Sequence, residues 1–307
     1  MSVLISFEDF ALPSITIFAP AKVNLGLQIG KLNQDGLHEL SSFMQTIDLQ
    51  DELTITAAKA TGLPAELDLS VRGANLPTGP DNLIYRAARV WQEKTGLKLD
   101  LKIELLKRIP QGAGLGGGSS DAASTLLALN QLFPERGLSE DQLLVLAKNL
   151  GSDVPFFLQA GLALVGGSGE KILHLGSISP LPLLLVKPNF SLSTGEVFAA
   201  LDKARNKGKL AYTQPFKKED LIEIQAKPEL WSQHLKNDFT PLLRQQYSSL
   251  SELLDVLEAS SACFSSLSGS GPTCYAIYKK EAARDLALAT LQKRFPDYWF
   301  FAARPIA

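Results

Sequence analysis

Apolar and polar residues alternate with period two through ITIFAPAKVNLGLQIG and again through DELTITAA, and both stretches are rich in β-branched residues, so the pattern predicts strands. The period then lengthens. In DNLIYRAARVWQEKTG the apolar Leu83, Ile84, Ala87, Val90 and Trp91 share one face, which predicts an amphipathic helix with Asp81 as its N-cap and Gly96 as its stop. LDLKIELLKRIP alternates once more, as a strand ending on Pro110. Past a glycine-rich loop, DAASTLLALNQLF reads as a helix of small residues, and Ser139 with Gln142 forms the capping-box start of another.

The second half opens on a short turn, LGSDVPFFL, and a hairpin expected around residues 166–169. After it come a strand (PLPLLLVKP), several helices, a hairpin (ACFSSLSGSGPTCYAIY), a helix (EAARDLALATLQKRF) and a closing strand (YWFFAARPI). Strand, helices, two strands, helix and strand describe an α/β sandwich of the split βαβ type. We place the domain junction at the first hairpin, giving an N-terminal domain of residues 1–165 and a C-terminal domain of residues 166–307.

Length and charge narrow the function classes. A chain of 307 residues has room for two fused domains. Its 30 basic and 32 acidic side chains leave a formal net charge of -2, too balanced to supply the field that drives nucleic-acid binding. Cys263 and Cys274 match neither a redox pair nor a zinc spacing and read as core thiols of a reducing compartment. The N-terminal stretch carries Glu8 and Asp9 without a basic run, so no signal peptide is expected. No apolar run reaches the ~20 residues needed to cross a bilayer. These features predict a soluble cytoplasmic enzyme, or a plastid stromal one where a transit segment has been removed.

The loop PQGAGLGGGSSDAAS joins a predicted strand to a predicted helix. Glycine lets several backbone N–H groups approach a phosphate, and a helix starting near Ser119 adds its free N–H groups and the positive end of its dipole. The loop is expected to hold an oligophosphate. A Walker A loop would end in Gly-Lys-Ser/Thr, and no lysine is present. Gly112, Gly114 and Gly117 fit GxGxxG, but Glu140 and Asp141 open a helix where a dinucleotide fold needs an acidic strand end. A dinucleotide-dependent oxidoreductase is therefore the weaker alternative.

The stretch Pro-x-Gly-x-Gly-Leu-Gly-Gly-Gly-Ser-Ser after a strand resembles the central motif of the GHMP kinases, a superfamily that includes galactokinase, homoserine kinase, mevalonate kinase and phosphomevalonate kinase. PAKVNLGLQIG at residues 20–30 resembles the first motif of that family, and LSGSGPTCYAIY at residues 267–278 the third. DGLHEL, DNLI and LGSDVPFFL narrow the resemblance to the diphosphocytidyl-methylerythritol kinases. It implies a two-domain α/β (α+β) fold, a ribosomal-protein-S5-domain-2-like ATP domain followed by a ferredoxin-like domain. It also implies transfer of a phosphoryl group from ATP, with Mg²⁺, to a small-molecule substrate, a cytidine-diphosphate methylerythritol. Another GHMP kinase with a different acceptor, or a non-catalytic sensor on the same fold, are the alternatives within the family.

The same resemblance assigns residues. Lys22 becomes a catalytic lysine beside the acceptor hydroxyl, and Asp153, which local pattern alone would read as a helix N-cap, becomes the general base. A carboxylate is a weak base and acts late, once the loose transition state has made the hydroxyl proton acidic. Pro110, Gln111, Gly112, Ala113, Gly114, Leu115, Gly116, Gly117, Gly118, Ser119 and Ser120 are expected to surround the phosphates, with Asn82 and Lys107 on the adenine side. Ser119 or Ser120 is a candidate hydroxyl ligand of Mg²⁺, without an identifiable acidic partner. Asn24, His38, Thr194 and Phe198 are expected on the acceptor side, His38 against the cytosine and Phe198 stacked on it. His38 and Glu39 start like HExxH, but the second histidine is missing, so zinc is not expected. Leu37 stands where the family often has an aromatic residue.

Overall fold

The computed structural model describes residues 12–34, 36–62, 64–176, 178, 181–220 and 230–307. The first eleven residues, where no signal peptide is expected, lie outside these, as does Asp35. Strands β1 (Ser14–Leu32) and β2 (His38–Lys59) form a long antiparallel ribbon. β2 begins well before the DELTITAA stretch that the alternation marked. Residues 41–47 are buried on both faces, so they show no period-two signal.

β2 is the spine of the first sheet. Its first half pairs with β5 (Leu162–Gly167), and its second half with β4 (Leu99–Leu106). β3 (Leu67–Arg72) lies parallel to β4, and β6 (Lys171–Gly176) completes the other edge. This mixed, mostly antiparallel sheet is not the parallel one that a dinucleotide fold requires. Helices α1 (Leu83–Thr95), α2 (Gly117–Leu132) and α3 (Glu140–Leu150) cover one face, around a core that includes Leu53, Ile55, Trp91, Leu126 and Phe156.

The second sheet comprises β7 (Leu183–Lys187), β8 (Phe264–Leu267), β9 (Cys274–Ile277) and β10 (Trp299–Ala303), all antiparallel in the order β10-β7-β9-β8. That order, with helices between β7 and β8 and between β9 and β10, is the expected split βαβ arrangement. Period two decides what each face touches. Leu183, Leu185, Tyr275 and Ile277 pack with Ala21, Val23 and Leu25 of the first sheet. Leu184, Val186, Cys274 and Ala276 pack beneath α4 (Thr194–Asn206) and the helices Ser248–Glu258 and Glu281–Arg294. The layers run helix, sheet, sheet, helix.

Two local expectations are corrected. The N-cap of α1 is Asn82 rather than Asp81: its side chain accepts the Ile84 N–H at 2.9 Å, and Gly96 ends the helix in the left-handed region as expected. The junction at residues 165 and 166 falls inside β5. Because β5 pairs with β2 and β6 with β5, the first sheet keeps the chain until Gly176.

Candidate active site

A cavity of about 570 Å³ opens where the glycine-rich loop, the β1 strand and the turn after α3 converge. Every residue from Pro110 to Ser119 lines it. Helix α2 starts at Gly117, earlier than the expected start near Ser119, so Gly117 and Gly118 lie in its first turn and their N–H groups are among its unpaired donors. Two glycines are fixed by close approach. A Cβ at Gly114, which has φ +75°, would lie 2.2 Å from the carbonyl oxygen of Ser268, and one at Gly116, with φ +72°, would meet the Phe157 ring at 2.8 Å. Gly118 is different: a Cβ there would meet only Leu83, at 3.8 Å. Ser120 is fully buried beneath the cavity wall, and its hydroxyl has no hydrogen-bond partner.

Lys22 and Asp153 meet in this cavity. The Lys22 ammonium lies 3.4 Å from Asp153 Oδ2 and donates to Asn24 Oδ1 at 2.5 Å. Lys22 is buried, and its own N–H binds the carbonyl of Leu115, tying β1 to the loop. Asn24 donates to Ser42 Oγ at 2.8 Å, and Ser42 Oγ donates to the Gly26 carbonyl at 2.7 Å. Tyr275 of β9 donates its hydroxyl to the Asn24 carbonyl at 2.8 Å, and Ser268 Oγ donates to the Gly114 carbonyl at 2.9 Å. Both sheets therefore hold the lysine in place. Asp153 lies between the end of α3 and the short helical turn Pro155–Leu158 and caps neither. The β5–β6 turn packs on the preceding residue: a Cβ at Gly169 would lie 2.2 Å from the Ser152 carbonyl oxygen.

Lys107 reaches the same cavity, but its ammonium is engaged by two carboxylates, Asp51 and Asp121, the latter at 2.6 Å. Asp51 is fully buried and also accepts the backbone N–H groups of Arg108 at 2.5 Å and Ile109 at 2.8 Å. Burial pushes the Asp121 carboxyl up to about 7; the Lys107 charge opposes this rise and Asp51 adds to it. Asn82 lines the cavity too, with its amide nitrogen donating to the Pro77 carbonyl at 2.7 Å.

The acceptor-side candidates divide into two groups. Thr194 and Phe198, both on α4, line the cavity, and Thr194 Oγ1 lies 3.0 Å from Ser270 Oγ in the turn between β8 and β9. His38 stands behind Phe198, its ring stacked on the phenyl ring at 5.1 Å between centroids. Its Nδ1 faces the Gly30 carbonyl at 3.0 Å and its Nε2 faces Asp202 Oδ2 at 3.1 Å, so protein oxygens face both ring nitrogens. Phe239 packs edge-on against Phe198 and lines the cavity as well. Leu37 is exposed.

Asp51, Asp121, Ser42, Ser268, Asp202 and Phe239 were not foreseen. For the first a signal existed. Asp51 stands in the inward phase of Ile47, Leu49, Leu53 and Ile55, and Lys107 in that of Leu101, Ile103 and Leu105, which marks a buried ion pair. Nothing local marks Asp202 or Phe239. Among the described residues, no group of three or more His, Cys, Asp or Glu side chains converges on a point where a metal ion would sit. A magnesium ion bound with nucleotide phosphates needs fewer protein ligands, and the oxygens of Ser119, Ser120 and Asp121 beside the loop are of the right chemistry.

Comparison with known proteins places the chain in a family. The model of the GHMP kinases N terminal domain matches residues 82–161, and that of the GHMP kinases C terminal domain matches residues 219–297. The chain is 40% identical to the 4-diphosphocytidyl-2-C-methyl-D-erythritol kinase of Pelotomaculum thermopropionicum, over 89% of this chain and 92% of that one. It is 37% identical to the Deinococcus radiodurans protein of the same name, over 94% and 92%. A crystal structure of 4-(cytidine 5'-diphospho)-2C-methyl-D-erythritol kinase superposes with a TM-score of 0.79 at 31% identity, covering 95% of this chain and all of that one. The mevalonate kinase of Methanococcus jannaschii shares the fold, with a TM-score of 0.70 at 17% identity over 95% and 98%.

Proposed function

Because the chain belongs to the GHMP kinases, and within them to the 4-diphosphocytidyl-2-C-methyl-D-erythritol kinases, we propose that it transfers the γ-phosphoryl group of ATP to the 2-hydroxyl of 4-diphosphocytidyl-2-C-methyl-D-erythritol. It is a phosphotransferase acting on an alcohol, and the product feeds non-mevalonate isoprenoid synthesis. A cytoplasmic location belongs to the same reading.

The observation that carries the mechanism is the Lys22–Asp153 pair, 3.4 Å apart in the cavity beneath the glycine-rich loop. Phosphoryl transfer asks a protein for positioning and charge stabilisation. The unpaired N–H groups at the start of α2 and the loop backbone receive the phosphates, and the Lys22 ammonium balances negative charge that moves onto the transferred group. The acceptor hydroxyl enters beside Asp153. As the new O–P bond forms and the bond to ADP breaks, the hydroxyl proton passes to the Asp153 carboxylate. Asn24 fixes Lys22 from the other side, so the ammonium is aimed before substrate arrives. Magnesium, held by hydroxyls such as those of Ser119 and Ser120, supplies charge neutralisation of the phosphates when bound.

On the acceptor side, Phe198, with Thr194 beside it, offers an aromatic face to the cytosine, and His38 backs that face. The test is ATP consumption with the cytidylyl substrate set beside mevalonate, homoserine and galactose. Turnover confined to the cytidylyl substrate is the expected result, and turnover of another acceptor at equal efficiency would overturn the assignment.

A further inference from the structure

The cluster of Asp51, Lys107 and Asp121 is not balanced. One ammonium faces two carboxylates, and all three side chains are almost wholly buried. Asp51 is saturated, holding Lys107 and two backbone N–H groups. Asp121 is the carboxyl left short of partners, since its Oδ2 takes Lys107 while its Oδ1 is buried without any. Asp121 is only 2% exposed, and what it borders is the cavity, at the second turn of α2 just beyond the glycine-rich loop. An orphaned buried carboxylate oxygen is costly, and a water or an ion is the kind of partner that satisfies one. Beside a polyphosphate, its uncompensated charge would oppose ATP unless a cation stood between them.

We propose that Asp121 Oδ1 is the anionic protein ligand of the divalent cation that enters with the nucleotide. The inference rests on the ATP reading above and adds to it the residue that makes nucleotide binding metal-dependent. Magnesium is held with nucleotides through one or two carboxylates together with phosphate oxygens and water, so a single carboxylate at this place is sufficient. Lys107 then acts as the positioning residue. It holds Oδ2 and leaves Oδ1 without a protein partner, on a residue that lines the cavity.

The test is equilibrium binding of ADP by calorimetry, with magnesium and with a chelator, to wild type, Asp121→Asn and Asp51→Asn. In wild type, magnesium is expected to tighten ADP binding by on the order of tenfold or more, the gain of a charge-neutralised complex. Asp121→Asn is expected to bind metal-free ADP as well as wild type or better, and to lose the gain from magnesium. Asp51 does not line the cavity, and its variant removes the same unit of charge, so it is expected to keep the gain. Full enhancement in Asp121→Asn, or equal loss in Asp51→Asn, would overturn ligation and leave the cluster a structural staple, with the ATP reading intact. Failure of wild type to bind ADP in either medium would overturn the ATP reading and this inference together.

A second measurement needs no change at Asp121. Manganese and ADP are bound to Asp153→Asn protein labelled with ¹³C at its aspartate carboxyls, and the paramagnetic resonance is read for carbon hyperfine coupling. Coupling from a bound carboxylate is expected, and its absence would overturn the proposal.

Discussion

Lys22 Nζ stands 3.4 Å from Asp153 Oδ2 and 2.5 Å from Asn24 Oδ1, so a buried ammonium is held between the carboxylate it serves and an amide that carries no charge. The role proposed for this buried ammonium is to act on the reacting group. Lys22→Ala and Asp153→Asn are expected to lower kcat by ~10² or more with nucleotide affinity nearly unchanged, since both groups act on the transition state. Rapid-quench turnover beside equilibrium binding of ATP checks this. Near-normal turnover in either variant would remove that residue from the mechanism.

Asn24 acts through Lys22. Asn24→Ala removes the hold on the ammonium and leaves Ser42 short of a partner. We expect kcat to fall roughly 10- to 10²-fold through misplacement of the lysine, with KM for ATP little changed. Stability should drop by about 1–3 kcal/mol, the usual cost of unpaired buried polar groups. Urea unfolding and steady-state kinetics on the same preparation separate the two effects, and unchanged kcat would make Asn24 purely structural.

The glycine loop can be probed at one position without disturbing packing. Valine at Gly116 or Gly117 is tempting from sequence, but a Cβ at either meets its neighbours at 3.0 Å or less, and Gly116 is also left-handed. Gly118 has room for a side chain and lines the cavity. Gly118→Val is expected to keep its melting temperature within a few degrees and to weaken ATP binding by at least tenfold, on the order of 1.4 kcal/mol. Calorimetry and thermal melts decide it, and wild-type ATP affinity in the folded variant would remove this turn from the phosphate site.

The proposed base site rests on Phe198 more than on its neighbour. With Leu37 exposed and aliphatic, the Phe198 ring backed by His38 and Phe239 is the aromatic face on this side of the cavity among the described residues. Phe198→Ala should lower kcat/KM for the cytidylyl substrate by roughly tenfold or more, as loss of an aromatic anchor does. His38→Ala should narrow the preference for cytidylyl over uridylyl substrate, because it removes the support of that ring and the link to Asp202. The two specificity constants, measured in wild type and both variants, give the answer. Equal use of both bases by wild type would sink the cytidine site.

Much of this was readable along the chain because it is local. Period two marked β1 and β4, an apolar run of strand length marked β7, period 3.6 marked α1, and the Ser139–Gln142 capping box is present as read. The loop residues 110–119 line one cavity because a contiguous segment between a strand and a helix can scarcely do otherwise. The first half of β2 escaped notice because burial on both faces erases the alternation.

Element types, their succession along the chain and the chemistry of the loop follow from the sequence, since each depends on residues close in the chain. Tertiary structure alone decided which side chains meet. Lys22 reaches Asp153 because β1 passes under the loop and the β5–β6 turn presses on Ser152. His38 finds Asp202 because α4 crosses the end of the ribbon. Asp121 keeps an oxygen free because Lys107 can satisfy only part of the charge packed around it. Contacts of that kind arise from layers folding against one another, and no periodicity in the chain records them.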